Sequence, residues 1–267
     1  MTRGILGRGR EEAVFVACST LCFGRLPLER ALRLIGELEF SKVDVAIHES
    51  GPHLRPSQVV QDVTLAGQHI RIGPSLTPAA LSAEIETPDP AEFRRQLRAL
   101  CRLARLSMIP QITLPAAAAS SNLDDEIHRL DELVRLVETE GVQLSLPSKI
   151  GTLTENPAIA LELCRAVPGL GLTLDPSHFI QGPFSGASYD ELFPYIRHVH
   201  LRDTGRRPGQ FQVRIGQGEV EYGRIISLLE RFGYDRLLTV AMHDGIDPAY
   251  PMEAEVRKLK YLLESLV

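Results

Sequence analysis

The chain has 267 residues, of which 44% are hydrophobic and 24% are charged, and its formal net charge is −5 at pH 7. This composition is typical of a soluble globular protein, and no apolar run approaches the ~20 residues that span a bilayer. No stripe of lysine and arginine is present, which argues against a nucleic-acid partner. The four cysteines show no CxxC spacing, so neither a zinc ribbon nor a disulfide framework is indicated and a reduced, cytoplasmic setting is expected.

Short apolar runs recur along the chain, each followed by a helical pattern, after a predicted flexible arm at residues 1–12. The third run is ambiguous, because the segment Gln61–Gly73 around it fits neither the strand period nor the helix period clearly. The predicted strands are Val14–Cys18, Val43–Ile47, Ile70–Ile72, Ile109–Leu114, Val142–Leu146, Gly171–Leu174, Ile196–Leu201 and Leu237–Val240.

Apolar residues at helical spacing predict a helix after most of these strands. Asp89 is the expected N-cap of one helix, and Gly141 is the expected end of another. The predicted helices are a first one marked by an apolar stripe from Leu28 to Leu38, then Pro90–Leu106, a segment from Asn122 to Gly141, Ala158–Ala166, Tyr222–Phe232 and Glu253–Leu263.

Eight strands that alternate with helices predict a parallel sheet, and eight is the number that closes a barrel. In strands four to seven one face is Leu, Ile or Val and the other is polar, which suits a barrel with a polar mouth. We therefore predict a single (β/α)8 TIM barrel over residues 1–267. A doubly wound open sheet is the alternative, but no GxGxxG or GxxxxGK[ST] motif lies at a strand–helix turn, so no nucleotide cofactor is expected.

The candidate chemistry is concentrated in residues 171–203. Strand alternation places Asp175 at the polar end of the sixth strand, with His178 just beyond it, and it places His198 and His200 on one face of the seventh. Aspartate and histidine at the ends of neighbouring strands are ligands for a divalent cation, and barrel active sites lie at those ends. The alternative interpretation is a capping aspartate and surface histidines.

Four segments resemble the xylose-isomerase-like barrel superfamily, which includes sugar-phosphate isomerases and epimerases and the family-two apurinic endonucleases. They lie mostly between Leu123 and Ala241 and read DELVRLVETEGVQLSL, GLTLDPSHFIQG, HVHLRDT and QVRIGQGEVEYGRIISLLERFGYDRLLTV.

The resemblance implies a divalent metal held by a Glu ending strand five, an Asp ending strand six, a His on strand seven and a Glu ending strand eight. Asp175 matches that Asp and His200 matches that His. His178 matches a histidine that contacts substrate in isomerases or a second metal in the nucleases. Arg206 loosely matches an arginine that binds substrate in some epimerases.

The chain departs from this pattern at both glutamates, because Pro147 and Ala241 stand where they are expected. One carboxylate and the imidazoles make a poor site for Mg²⁺ or Mn²⁺, so any metal, zinc or manganese, is predicted to bind weakly or not at all, with zinc favoured. Lys149 and His243 follow two residues later on the same strand faces. They are candidate replacements for the missing groups, Lys149 as a fixed cation and His243 as a metal ligand or a base. Together with His178 they form the predicted catalytic set. Solvated loop residues are the alternative.

Five further residues are predicted substrate contacts. His48 and His53 lie in or beside the loop after strand two, where the superfamily often contacts substrate, although solvent-facing loop residues are an equal alternative. The others are His198, Arg206 and Gln212, all near the carboxyl end of strand seven or in the loop that follows it.

These observations predict a sugar or sugar-phosphate isomerase or epimerase, or a related lyase, that acts on a small polyol or keto-sugar. The alternative is a barrel that has lost catalysis and binds a ligand or a partner protein. DNA repair is disfavoured by the missing ligands and the absent basic surface. Membrane association is not expected, and assembly into a homo-oligomer is left open.

Overall fold

The computed structural model describes residues 14–71, 73, 75–245 and 250–267, so the predicted arm at residues 1–12 lies outside the described residues. The strands of the described chain are β1 Phe15–Ser19, β2 Lys42–His48, β3 Thr77–Glu84, β4 Gln111–Thr113, β5 Gln143–Pro147, β6 Gly171–Leu174, β7 Ile196–Leu201 and β8 Leu237–Val240.

Each strand pairs in parallel with the next, and β8 pairs with β1, so the sheet closes into an eight-stranded barrel. This confirms the predicted (β/α)8 barrel. The α-helices of the described chain are α1 Leu28–Glu37, α2 Pro56–Gln61, α3 Val63–His69, α4 Pro90–Leu106, α5 Leu123–Glu138, α6 Pro157–Ala166, α7 Pro176–Gln181, α8 Tyr222–Arg231 and α9 Met252–Glu264.

Helix boundaries follow the capping chemistry that the sequence predicts. The side chain of Asp89 accepts a hydrogen bond from Ala91 N at 2.9 Å and caps α4, and Asn122 caps α5 in the same way. Gly141, just past the end of α5, has a φ of 72°, a conformation that glycine adopts without steric cost. No helix of the described residues has the length and hydrophobicity needed to cross a membrane.

The predicted third strand at Ile70–Ile72 is wrong. Ile70 is the C-cap of α3, where its buried side chain packs into the core, and Ile72 lies outside the described residues. The third strand is instead β3, Thr77–Glu84. Its sequence, TPAALSAE, is dominated by residues of low strand propensity, so that tertiary pairing with β2 and β4, rather than local preference, makes it a strand.

The barrel interior is polar at the level of β4 to β6. Thr113, Ser145 and Thr173 form a closed ring of hydroxyl hydrogen bonds at 2.6–3.1 Å, and Gln111 donates to Ser145 at 2.8 Å. All four side chains are buried. Because these groups satisfy one another, the barrel tolerates polar residues inside, and the apolar core lies between the strands and the helices.

Candidate active site

A cavity of about 180 Å³ opens at the carboxyl ends of the strands, the location of active sites in this fold. Residues from almost every strand end contribute to its wall, together with residue 211 of the loop after β7. Its ionisable lining residues are His48, Glu84, Lys149, Asp175, His178, His200, Arg202 and His243.

The wall at β6 and β7 is built around an ion pair between Asp175 and Arg202. Nη2 of Arg202 donates to Oδ2 of Asp175, and the two side chains are only 5% and 3% exposed. Oδ1 of Asp175 accepts from the backbone N and the hydroxyl of Ser177. Burial by itself would raise the pKa of Asp175, but the charges of Arg202 and His178 and the hydrogen bonds from Ser177 and Arg202 together outweigh burial and hold this pKa well below its usual range.

His178 lies beside this pair with a fixed tautomer. Its Nδ1 accepts a hydrogen bond from Ile150 N at 3.1 Å, so the neutral ring carries its hydrogen on Nε2, 3.7 Å from Oδ2 of Asp175. Burial, assisted by the charge of Arg202, lowers the pKa of His178 to about 4 despite the opposing charge of Asp175. The imidazole is therefore uncharged at neutral pH.

A second buried carboxylate, Asp44 of β2, lies at the floor of the site beneath His200. Nε2 of His200 lies 2.8 Å from Oδ2 of Asp44, which also accepts from Ser82 Oγ at 2.8 Å. Burial would raise the pKa of Asp44, but the hydrogen bond and charge of His200 lower it below its usual value. His198 packs edge-on against His200 with ring centroids 4.6 Å apart, and burial lowers the pKa of His198 to about 3.

The opposite rim, at β2, β3 and β5, is half-exposed. Nζ of Lys149 forms a short ion pair with Oε1 of Glu84, and their side chains are 35% and 31% exposed. Nδ1 of His48 lies 4.0 Å from the other Glu84 oxygen. Burial lowers the pKa of His48, and the nearby charge of Glu84 opposes that shift only in part.

His243 completes the wall beyond the end of β8. The amide of Gln212 holds its backbone from both sides, accepting from His243 N at 2.7 Å and donating to His243 O at 3.1 Å. Burial first, and the charge of Arg202 second, lower the pKa of His243 to about 3. Among the described residues, none hydrogen-bonds to its imidazole.

The loop after β7 folds against the site because Asp203 holds it. Oδ2 of Asp203 accepts from the backbone N atoms of Gly216 and Gly218 at 2.7 and 3.0 Å. A side chain at Gly218 would place its Cβ 2.1 Å from Asp203 Oδ1, so only glycine fits there. The same loop presents Phe211, whose ring lies 4.8 Å from the Arg202 guanidinium and 4.8 Å from the His178 ring.

The structure brings together six of the predicted site residues at one cavity, namely His48, Lys149, Asp175, His178, His200 and His243. Pro147 and Ala241, which stand in place of the two glutamates, line the same cavity. The close approach of these residues could not be deduced from local spacing alone, because they belong to different strands.

Four predicted substrate contacts do not line this cavity. His53 lies in a separate groove beside α1, with Nε2 3.1 Å from Leu26 O. Arg206 is 77% exposed and pairs with Glu219 at 3.6 Å. The other two lie behind the cavity: Gln212 supports the backbone of His243, and His198 is buried with Nε2 2.7 Å from Thr239 Oγ1. Neighbouring protein groups thus engage the amide of Gln212 and Nε2 of His198.

Three residues of the site were missed as functional candidates. Arg202 continues the alternation of His198 and His200, so its inward direction was available from the sequence. Asp44 and Glu84 gave a weaker signal. Asp44 is a single carboxylate within the apolar run Val43–Ile47, and Glu84 lies on the strand that the sequence did not predict.

A metal bound through Asp175, as the superfamily pattern implies, does not fit these residues. The guanidinium of Arg202 already neutralises that carboxylate, and proline and alanine stand at the two positions that would supply further oxygen ligands. Within the described residues, the group that could hold a metal ion is Asp44, His198 and His200, whose ligand atoms all lie within 4.8 Å of one another.

The chain belongs to the xylose isomerase-like TIM barrel family, whose model matches residues 32–262. An uncharacterized protein of Methanocaldococcus jannaschii, MJ1311, is 26% identical over 129 residues, which cover 45% of this chain and 44% of that protein. The match thus spans less than half of that relative.

Solved structures with the same fold include an L-ribulose 3-epimerase, which is 14% identical with a TM-score of 0.70 and 95% of each chain covered. The IolI protein with a bound zinc atom is 15% identical with a TM-score of 0.72, covering 95% of this chain and 98% of that one. The probable 3-DHS dehydratase AsbF of Bacillus anthracis is 17% identical with a TM-score of 0.66, covering 92% and 98%. At these identities the likeness shows the fold.

Proposed function

We propose that the protein is an isomerase or epimerase, or a related lyase, that acts on a small polyol or keto-sugar and, in a keto-sugar, moves a proton on the carbon next to the carbonyl group. The observation that carries the proposal is the convergence of a buried guanidinium, Arg202, and two uncharged imidazoles, His178 and His243, on one cavity. Family members of this fold that are sugar epimerases support the same reaction class.

Arg202 supplies the positive charge that the reaction needs. Removing a proton next to a carbonyl leaves negative charge on oxygen, and a fixed cation in a water-poor site stabilises that charge strongly. Among the described residues only Asp175 hydrogen-bonds to this guanidinium, through Nη2, so other donors of its planar fork are free for a substrate oxygen. We therefore assign to Arg202 the role of fixed cation that the sequence suggested for Lys149. Lys149 lies at the rim, where it is paired with Glu84.

His178 is suited to donate a hydrogen bond rather than to accept a proton. Its Nδ1 is engaged by Ile150 N, and the hydrogen of the neutral ring is on Nε2. A neutral imidazole of this kind polarises a carbonyl oxygen in the ground state and in the transition state.

His243 is suited to accept the proton. Its imidazole lines the cavity uncharged at neutral pH, and Gln212 fixes the backbone from which it projects, although the same burial makes the free ring a weak base. The charge of Arg202 contributes to the low pKa of His243, so a substrate oxyanion beside Arg202 would weaken that effect and make the imidazole a stronger base as the reaction proceeds.

The test is exchange of substrate hydrogen with solvent. The purified chain is incubated in D2O with a panel of aldoses, ketoses and their phosphates, and ¹H NMR follows the hydrogen next to the carbonyl. We expect exchange in at least one compound, and a loss of at least about 100-fold in His243→Gln, in keeping with the contribution of a general base. His128→Gln is the matched control, because His128 is exposed on α5 and does not line the cavity.

Two outcomes would contradict the proposal. If no compound exchanges while calorimetry detects binding of one of them, the barrel is a binding scaffold, which the two replaced glutamates at Pro147 and Ala241 favour. If exchange occurs and His243→Gln leaves it unchanged, the proton acceptor is another residue.

A further inference from the structure

Asp44 of β2 and two histidines of β7 form a trio, in which His200 and His198 lie one and two residue pairs before Arg202 along the inner face of β7. His200 is the member that also lines the cavity, whereas Asp44 and His198 are 0% and 1% exposed. We propose that this trio is a zinc site, distinct from the Asp175-centred site that the family pattern implies.

Hydrogen bonding leaves two atoms of the trio without a partner. Oδ1 of Asp44 and Nδ1 of His198 are both buried, and neither has a hydrogen-bond partner within the described chain. A buried acceptor without a partner costs about 1–3 kcal/mol. One cation held by both atoms would remove both penalties together.

The charge of Asp44 leads to the same conclusion. Among the described residues, no lysine or arginine pairs with this fully buried carboxylate, and His200 is its ionisable partner. The described side chains around Asp44 therefore supply no permanent counter-charge, and an unpaired buried carboxylate is strongly unfavourable, so a bound cation would stabilise it. Asp175 differs, since Arg202 supplies a permanent counter-charge there.

The geometry suits a small ion. Nε2 of His200 and Oδ2 of Asp44 are 2.8 Å apart, and the ligand atoms of all three residues lie within 4.8 Å of one another. Two ligands with bonds of about 2.0–2.1 Å in a tetrahedral arrangement lie roughly 3.3 Å apart. The 2.8 Å contact, which joins Oδ2 rather than the unpartnered Oδ1 of Asp44, and the 4.8 Å limit for the whole trio bracket this separation.

The types of ligand atom in the trio indicate which metal would bind. Two imidazoles and one carboxylate are typical ligands of zinc, whereas Mg²⁺ prefers an octahedral set of oxygens. The outer contacts are also of the kind that orient metal ligands: Thr239 hydrogen-bonds to Nε2 of His198 and Ser82 to Oδ2 of Asp44. Three protein ligands leave one zinc position open, as in catalytic rather than structural zinc sites.

The experiment measures metal binding without substrate, so its result is independent of the proposed reaction. The chain, freed of any histidine tag and stripped with EDTA, is titrated with Zn²⁺ by calorimetry and with Co²⁺ by visible absorption. We expect one ion per chain. Because loss of a supporting contact alone weakens metal affinity about 10–100-fold, Asp44→Asn and His198→Gln should weaken it by at least about 100-fold.

His178→Gln is the matched control, because His178 lines the same cavity beside Asp175 but does not belong to the trio. It should bind zinc as the unmodified chain does. Circular dichroism checks that each variant folds. If a trio variant fails to fold, X-ray absorption of the zinc-loaded His178→Gln variant still counts the imidazole ligands, of which two are expected.

Three results would overturn the assignment. The first is no stoichiometric zinc binding by the unmodified chain. The second is unchanged affinity in folded Asp44→Asn or His198→Gln. The third is loss of binding in His178→Gln, which would put the ion at Asp175.

Discussion

Asp175 and Asp44 are two buried aspartates of one barrel, and they differ in their counter-groups. Asp175 is held by a guanidinium that cannot lose its charge, and both of its oxygens accept hydrogen bonds. Asp44 is held by an imidazole and a hydroxyl, and its Oδ1 has no hydrogen-bond partner within the described chain. The carboxylate of Asp175 is therefore permanently paired and hydrogen-bonded through both oxygens, whereas the carboxylate of Asp44 has one oxygen left that could bind a cation.

The largest effect should come from removing the wall cation. In Arg202→Met the carboxylate of Asp175 stays buried without its partner, and breaking a buried pair in this way costs about 3–5 kcal/mol. We expect that decrease in the free energy of unfolding, measured by urea denaturation at pH 7. Arg202→Lys, which keeps a cation, should lose less, and Asp175→Asn added to Arg202→Met should recover part of the loss. A decrease below about 1 kcal/mol in Arg202→Met would remove the distinction between the two aspartates.

The second prediction compares the turnover of a variant in the wall, at His243, with that of a variant in the floor, at His200. If proton transfer is carried out at the wall, His243→Ala should lower turnover or ligand affinity by about 10²-fold or more, and at least as much as His200→Ala does. The exchange rate in D2O measures both variants, with circular dichroism as the check on folding. A larger loss in His200→Ala than in His243→Ala would transfer the chemistry to the floor.

The third prediction concerns acid sensitivity. The pKa of His178 is lowered to about 4 and that of His243 to about 3, both below the ~6.5 of an unfolded chain. Between those values the unfolded state binds more protons than the folded state, so stability is highest above about pH 6.5 and falls as pH decreases toward 4. Each imidazole should contribute a slope of up to ~1.4 kcal/mol per pH unit.

Urea denaturation at several pH values measures this slope, and His243→Gln should flatten it by the share of one imidazole. His128→Gln, on the exposed side of α5, should leave it unchanged. Equal slopes in His243→Gln and the unmodified chain would mean that this imidazole is not held neutral by the wall.

The smallest effect is expected at the half-exposed rim. Lys149→Met breaks the ion pair with Glu84, but exposed pairs contribute only about 0–1 kcal/mol to stability. We expect a change in the free energy of unfolding of at most ~1 kcal/mol, with Glu84→Gln as the matched variant. A loss as large as that of Arg202→Met would show that the rim, like the wall, depends on a permanent cation.

The sequence by itself determined the barrel and the inward direction of most site residues. Alternation within strands is a local property, so Asp175 and His200 could be placed on the inner face from spacing alone. It also showed that Pro147 and Ala241 stand where the family motif has its two metal-binding glutamates, because those positions can be read from the motif alone.

The tertiary structure decided which inward residues meet. Asp44 and His200 are 156 residues apart and belong to strands that do not pair, so their contact depends on barrel closure and strand register. Closure likewise decided that Arg202 rather than Lys149 neutralises Asp175, since both cations leave their strands toward the same mouth. It also made β3 a strand against its local preference, and so placed Glu84 at the cavity. Local patterns fix the face on which a side chain lies, whereas pairing across the barrel fixes its partner.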